Sequence, residues 1–339
     1  MAKLNLAIVS AVLGLVLLPA QTWAVTNAVV GTCKAGTQFT TIQSAINSAT
    51  AGSKIQICPG TYPELLTIQQ NLTLTGVTSN KSDAVVIIPP STGVPANGTS
   101  GLFGPLAIQV KIEVADVTLS NISIDGGGPN TTCPSSATWV GVLFQGTVGG
   151  SMTNSSVVDA PSCPMFGLAA LVDATTNFTF TNNMLRDCSN VCLEVDFGSQ
   201  TAVTNNLFNQ ANPNLQPQAI ELEELGGPAT VTGNVIGGIT NGIYSGQSPS
   251  VTISNNTVMV TLAGIELYQS TQNIVTNNRI SSIYYGLILE DNGVGKGNKL
   301  TNNTVFDAAC GVDVKITPSG DTTAPNTYMS AAKTVCTVI

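Results

Sequence analysis

Carboxylates recur at alternate positions of short apolar stretches. Cys192-Leu193-Glu194-Val195-Asp196, Ala219-Ile220-Glu221-Leu222-Glu223, Gly264-Ile265-Glu266-Leu267-Tyr268 and Gly286-Leu287-Ile288-Leu289-Glu290 share one cadence, and Gly242-Ile243-Tyr244 and Gly311-Val312-Asp313-Val314-Lys315 repeat it. Alternation with period two over four or five residues is the pattern of a strand that buries one face. The residues between the apolar ones then point outward. If such strands stack in register, one outward column reads Glu194, Glu221, Tyr244, Glu266, Ile288, Asp313. The other reads Asp196, Glu223, a gap at Gly246, Tyr268, Glu290, Lys315.

Strands stacked ~4.8 Å apart would crowd Glu194, Asp196, Glu221 and Glu223 onto one patch. Like charges at that distance repel by roughly 1 kcal/mol in water and several times more in a shielded groove. Three arrangements relieve the strain: solvent screening, a bound cation, or a shared proton. Calcium takes clustered carboxylate oxygens, which makes Asp196, Glu221 and Glu223 its candidate ligands. A proton shared between carboxyls suits glycoside hydrolysis, with one acid and one base or nucleophile. Glu194, Asp196, Glu221 and Glu223 are thus the candidate catalytic residues. Tyr244, Glu266, Tyr268 and Glu290 are the candidate substrate contacts, flat rings on a strand face being suited to sugar stacking. The same columns also read as the solvated face of an exposed sheet.

What would stack these strands is an asparagine phrase. Asn182-Asn183, Asn205-Asn206, Asn255-Asn256, Asn277-Asn278 and Asn302-Asn303 each sit between hydroxyl or apolar residues, with weaker copies at Asn121, Asn154 and Gly233-Asn234. The copies recur every 22 to 33 residues. Such a period marks a solenoid, in which no repeat buries its apolar face alone. The strands carry no helical periodicity, which points to a parallel β-helix of roughly ten coils. Asparagine tolerates the left-handed backbone at a bend, and its amide can bond to the asparagine of the next coil. The pairs therefore read as scaffold.

The start of the chain follows other rules. Residues 1–24 carry a basic Lys3, an apolar run from Leu6 to Leu18 and a small-residue stop at Thr22-Trp23-Ala24, the layout of a signal peptide cleaved before Val25. That run is too short to span a bilayer, and no later segment is apolar enough. The expected location is secreted or periplasmic. One solenoid domain would occupy residues 25–339, with an N-terminal helical cap over about 37–60, repeats over about 61–316 and a C-terminal cap over about 317–339. Apolar residues at 39, 42, 45, 46 and 49 have the spacing of that cap helix.

Charged residues make up 9% of the chain and the net charge is −8, which disfavours nucleic acid as a partner. Eight cysteines in an exported chain imply disulfides. Cys33 and Cys58 bracket the first unit and Cys310 and Cys336 the last. Cys133, Cys163, Cys188 and Cys192 leave more than one pairing open.

The string from Phe39-Thr-Thr-Ile-Gln-Ser-Ala-Ile46 through Ile55-Gln-Ile-Cys-Pro-Gly-Thr-Tyr-Pro-Glu64 to Leu72-Thr-Leu-Thr-Gly76 resembles the entry of the pectin lyase-like superfamily. The later Asn-Asn and Gly-Ile-x-Leu phrases resemble its parallel β-helix repeats. The resemblance implies a right-handed parallel β-helix and an extracellular polysaccharide as partner, acted on by a lyase or hydrolase. It also admits a non-catalytic adhesion solenoid. The superfamily's catalytic signatures are not intact. Leu193-Glu-Val-Asp196-Phe197-Gly198 carries the Asp-Phe of a pectinesterase strand without the rest. The absence of histidine removes the Gly-His-Gly of polygalacturonases.

Overall fold

The computed structural model describes residues 25–78, 84–127, 131–132, 134–161, 166–212, 214–290, 294–314 and 320–337. The expected signal peptide, Cys133, Cys163 and Lys315 lie outside them.

Successive coils lay three short strands each onto the strands of the coil before, as in Thr179–Thr181, Met184–Arg186 and Val191–Asp196. The first strand position builds a 12-stranded parallel sheet. The other two belong to a 21-stranded sheet and merge where Val235–Gly246 and Thr257–Tyr268 each run unbroken through both positions. The result is a right-handed parallel β-helix of the pectin lyase-like fold. It has about twelve turns rather than ten, because strands Val25–Val30 and Thr37–Phe39, which carry no asparagine phrase, add to the N-terminal end.

Register follows from side-chain stacking. Leu119, Met152, Phe180, Val203, Val231, Ile253, Val275 and Leu300 pair in sequence, one per coil. All are buried, whereas the hydroxyl residues on either side face partly outward. A one-residue slip would turn this whole column to solvent, so the register is strongly fixed.

Asparagine pairs set the turn between the first and second strands, and the two members do different jobs. The first takes the left-handed conformation, with φ of 54° at Asn182, 55° at Asn205 and Asn255, 57° at Asn277 and 58° at Asn302. Its side chain faces solvent. The second is buried and forms the ladder. Asn234 Nδ2 and its backbone N–H both donate to Asn256 Oδ1, at 3.0 and 2.9 Å, and Asn256 repeats the pattern to Asn278, as Asn278 does to Asn303. Each amide also donates to a carbonyl of the first sheet, as Asn256 Nδ2 does to Val231 O at 2.9 Å.

At the N-terminal end a helix spans Ile42–Ser48 and buries Ile42, Ala45 and Ile46 against the core. It is shorter than the apolar spacing implied, with Phe39 in a strand and Ala49 opening strand Ala49–Ile57. Thr41 is the N-cap. The Glu64 carboxylate accepts from the N–H groups of Ile42 at 2.8 Å and Gln43 at 2.9 Å, complementing the positive helix start. Gln70 Nε2 donates to Ile46 O and Ala49 O at the other end. At the C-terminal end stacking continues past residue 316, where Thr327–Met329 and Lys333–Thr337 still pair in parallel with the preceding coil. Disulfides join Cys33 to Cys58, Cys188 to Cys192 and Cys310 to Cys336.

Candidate functional site

The third strand of each coil carries the carboxylates, and their register is the one expected. Glu194 pairs with Glu221, then Tyr244, Glu266, Ile288 and Asp313. Asp196 pairs with Glu223, then Gly246, Tyr268 and Glu290. The inward residues Leu193, Val195, Ile220, Leu222, Ile243, Ile265 and Leu267 pack into the main core and hold the backbone in place.

The environment of the patch is less open than an outward face suggests. Glu194 is 1% exposed and Asp196 0%. Glu221, Glu223, Tyr244, Glu266, Tyr268 and Glu290 are half-buried. A ligand on this face therefore meets Glu221 and Glu223 first, with Glu194 and Asp196 behind them.

One wall is visible in the burial pattern. Leu171, in register with Glu194, belongs to an apolar cluster on the outside of the solenoid with Leu106, Ile108, Val140 and Leu168, and Phe103 and Phe166 pack against it. The inserted strand Gly98–Ser100 pairs antiparallel with the start of strand Gly104–Ile112 beside that cluster. Gln145 Nε2 ties the insert to the acids, donating to Thr99 O at 2.9 Å and to Asp173 Oδ2 at 2.8 Å. Asp173 in turn pairs with Asp196.

Two residues of the site gave no signal in the sequence. Asp173 ends the strand Gly167–Asp173, in which every residue is buried, so no alternation marks it. Gly246 read as a gap, and the structure shows what fills it. A Cβ there would lie 2.6 Å from the Tyr244 ring and 2.9 Å from Glu223 Oε2. The missing side chain lets the tyrosine fold over its own strand beside the carboxylate. Tyr244 and Tyr268 then stack with ring centroids 6.4 Å apart and an interplanar angle of 24°.

Protons settle the electrostatics. Burial pushes Glu194 well above the ordinary carboxyl range, and the charges of Asp196 and Glu221 push it further. Burial likewise raises Asp196 to about 7 and Glu221 to about 7. Both Asp196 oxygens are shielded from solvent and meet no N–H or hydroxyl donor. The group within reach is the Glu194 carboxyl, whose hydrogen bond raises Glu194 and lowers Asp196 and Glu221. Two carboxyls can form such a bond when one of them carries a proton. Glu194, raised well above the ordinary range, thus sits between two carboxyls raised to about 7. Burial also raises Glu223, with Glu224 adding to it, and raises Tyr244, next to the charge of Glu223.

A stability consequence follows with a definite sign. A carboxyl whose folded pKa lies above its unfolded value binds more protons when folded, so its contribution to stability is present at low pH and lost as pH rises. The window runs from the ordinary carboxyl value of about 4 up through about 7 for Asp196 and Glu221. Thermal unfolding followed by circular dichroism is expected to show a Tm that falls from pH 5 to pH 8, with a shallower slope in Glu194→Gln.

A depression of about 530 Å³ lies elsewhere on the surface. Asn121, Asn154, Asn182 and Asn205 line it with Met184 and Leu207, on the asparagine-turn side. Among the described residues that line it there is no titratable side chain. The carboxylate face is where acid–base chemistry is available.

Solved structures with this shape are distant in sequence. The A-module of the Azotobacter vinelandii mannuronan C-5 epimerase AlgE6 is 17% identical, with 87% of this chain and 90% of that one covered, at a TM-score of 0.53. DFA-IIIase from Arthrobacter chlorophenolicus A6 is 16% identical over 91% and 86%, at 0.63. The tailspike of Escherichia coli bacteriophage HK620, solved with a pentasaccharide, is 12% identical over 88% and 59%, at 0.64. At these identities the likeness is one of fold. No curated protein matches the sequence.

A family profile does match, over residues 131–330, and its description is periplasmic copper-binding protein (NosD). Copper sites are built from imidazole, thiolate or thioether donors. This chain has no histidine, and its described cysteines are all disulfide-bonded. Met152 is in the core, while Met259 and Met329 share a column but are separated by Ser281 and Phe306. Among the described residues no three His, Cys, Asp or Glu side chains converge as a metal site. The donor set of the described residues does not fit a copper centre. Because the profile spans more than half of the chain, the protein belongs to the NosD family of right-handed parallel β-helix proteins.

Proposed function

We propose that this protein acts outside the cytoplasm on a polysaccharide, held along the carboxylate–tyrosine face, and hydrolyses its glycosidic bonds by acid–base chemistry. The observation that carries this reading is the in-register stacking of Glu194 on Glu221 and Asp196 on Glu223, with Tyr244 and Tyr268 stacked on the next coils of the same face. In this scheme Glu221 protonates the departing glycosidic oxygen, and the Glu223 carboxylate takes a proton from the water whose oxygen bonds to the anomeric carbon. Burial and the charges of Glu223 and Asp196 keep Glu221 poised near neutral pH. Tyr244, Tyr268, Glu266 and Glu290 hold the sugar rings.

Hydrolysis is favoured over elimination, because a lyase needs a base to remove a ring proton and a cation to stabilise the resulting charge. Among the described residues no Lys or Arg occupies either column between Asp173 and Glu290. Calcium on Asp196, Glu221 and Glu223 would supply such a cation only by drawing these side chains together, since they do not converge as a metal site, so every assay is paired with and without it. The family description and the signal-like N-terminus support an extracytoplasmic location. Among the described residues no helix is long and apolar enough to cross a membrane.

The test is a panel of polysaccharides offered to the mature protein, with binding read by calorimetry and turnover by new reducing ends. Gly246→Ala serves as the control for the face itself. It is expected to fold, since the atoms it meets are side-chain ends, yet to lose at least ~tenfold in affinity by displacing Tyr244 and Glu223. Binding without turnover would leave an adhesion solenoid. No binding to any member would remove the polysaccharide reading.

A further inference from the structure

Resting on the polysaccharide reading, we infer that this face selects glycans without acid groups and rejects polyuronates, the class on which a mannuronan epimerase acts. Glu221, Glu223, Glu266 and Glu290 are part-exposed along the same two columns, the Tyr244–Gly246 coil lying between the first pair and Glu266, with Glu194 and Asp196 buried behind. A uronate chain brings one carboxylate per sugar. Each carboxylate placed beside a fixed one is repelled by it, weakly in water and several times more strongly in a shielded groove. Several such pairs would form at once along a column whose coils are ~4.8 Å apart.

Among the described residues no Lys or Arg lies in either column between Asp173 and Glu290 to offset this. Lys111 Nζ is 2.8 Å from Glu113. Arg186 lies between Asp159 and Asp187. Arg279 sits 4.0 Å over the Phe306 ring, and Lys54 and Lys299 belong to the other sheet. An uncharged sugar suits the same groups well. Its hydroxyls donate to carboxylates, and its apolar face lies on the Tyr244–Tyr268 stack. The part-exposed Glu221, Glu223, Glu266 and Glu290 present acceptors on this face, with the buried Asp196 carboxyl behind them. A ligand rich in hydroxyl donors supplies what the face lacks.

The experiment compares neutral and polyuronic oligosaccharides of equal length on the full mature protein, in EDTA, at ~20 mM and ~0.5 M salt. The neutral series is expected to bind at least ~tenfold tighter at low salt, with the gap shrinking at high salt as charges are screened. Glu221→Gln/Glu223→Gln should narrow the gap by weakening the repulsion. Equal or tighter polyuronate binding in EDTA would overturn the inference. So would polyuronate binding that appears on adding calcium, and either result would leave the polysaccharide reading intact. Failure of both series to bind would remove that reading instead.

Discussion

Glu221→Gln is expected to cut turnover about 10²–10⁴-fold, the usual contribution of a positioned general acid. It should do so while leaving the fold intact and, above pH 7, raising the Tm. The two effects share one cause. Glu221 is held at about 7 by burial and by the charges of Glu223 and Asp196, so its ionised form repels its neighbours. Glutamine keeps the shape and removes both the charge and the proton. Stability gained together with activity lost is the signature of a group kept under electrostatic strain for function. The measurement pairs kcat from reducing-end release with Tm at pH 5 and pH 8. A Tm rise at pH 8 with full activity would remove Glu221 from the chemistry, though not from the face. At pH 5 wild type and variant should melt alike, since Glu221 is then protonated.

A second large effect is expected far from the acids. Asn256→Leu should destabilise the protein on the order of 3–5 kcal/mol, because it strands partners that water cannot reach. Asn256 Oδ1 accepts from Asn234 N–H at 2.9 Å, and its Nδ2 donates to Val231 O at 2.9 Å. Both groups lie in the interior of the turn, where an unmade bond costs its full desolvation. Asn255→Gly, one residue earlier, should change stability by no more than about 0.5 kcal/mol. Its side chain is exposed and glycine accepts its φ of 55° without strain. Chemical denaturation of the two variants separates the roles. Equal effects would mean that the ladder bonds are not what holds the turn.

That division of labour marks how far the sequence was readable. The asparagine pairs announced a ladder and a left-handed bend, but not that one residue bends while the other bonds. Pattern is a property of the chain, whereas burial is a property of the coil above and below. The same limit applies to the acids. Period two placed Glu194, Asp196, Glu221 and Glu223 in their columns correctly, because the strand pleat admits no other arrangement once the inward residues are fixed. It treated all four as exposed, and the structure buries two of them. Gly246 was silent because its contribution is the room it leaves. Asp173 was hidden because Leu168 and Leu171, on the same outward face, are covered by the segment around Phe103 and so are apolar. The turn count fell short for a similar reason, since the first coils are built without the asparagine phrase.

In-register stacking has a consequence for how such a face can change over time. Between coils, side chains sit at fixed multiples of one spacing, and along a strand at fixed multiples of another, so the face is a lattice with preset nodes. Shifting a functional group by a fraction of a node is not open to it. A new ligand must be met by exchanging the residue at a node or by gaining or losing a whole coil. The second route carries the acids and the tyrosines along as a block, with their mutual distances unchanged.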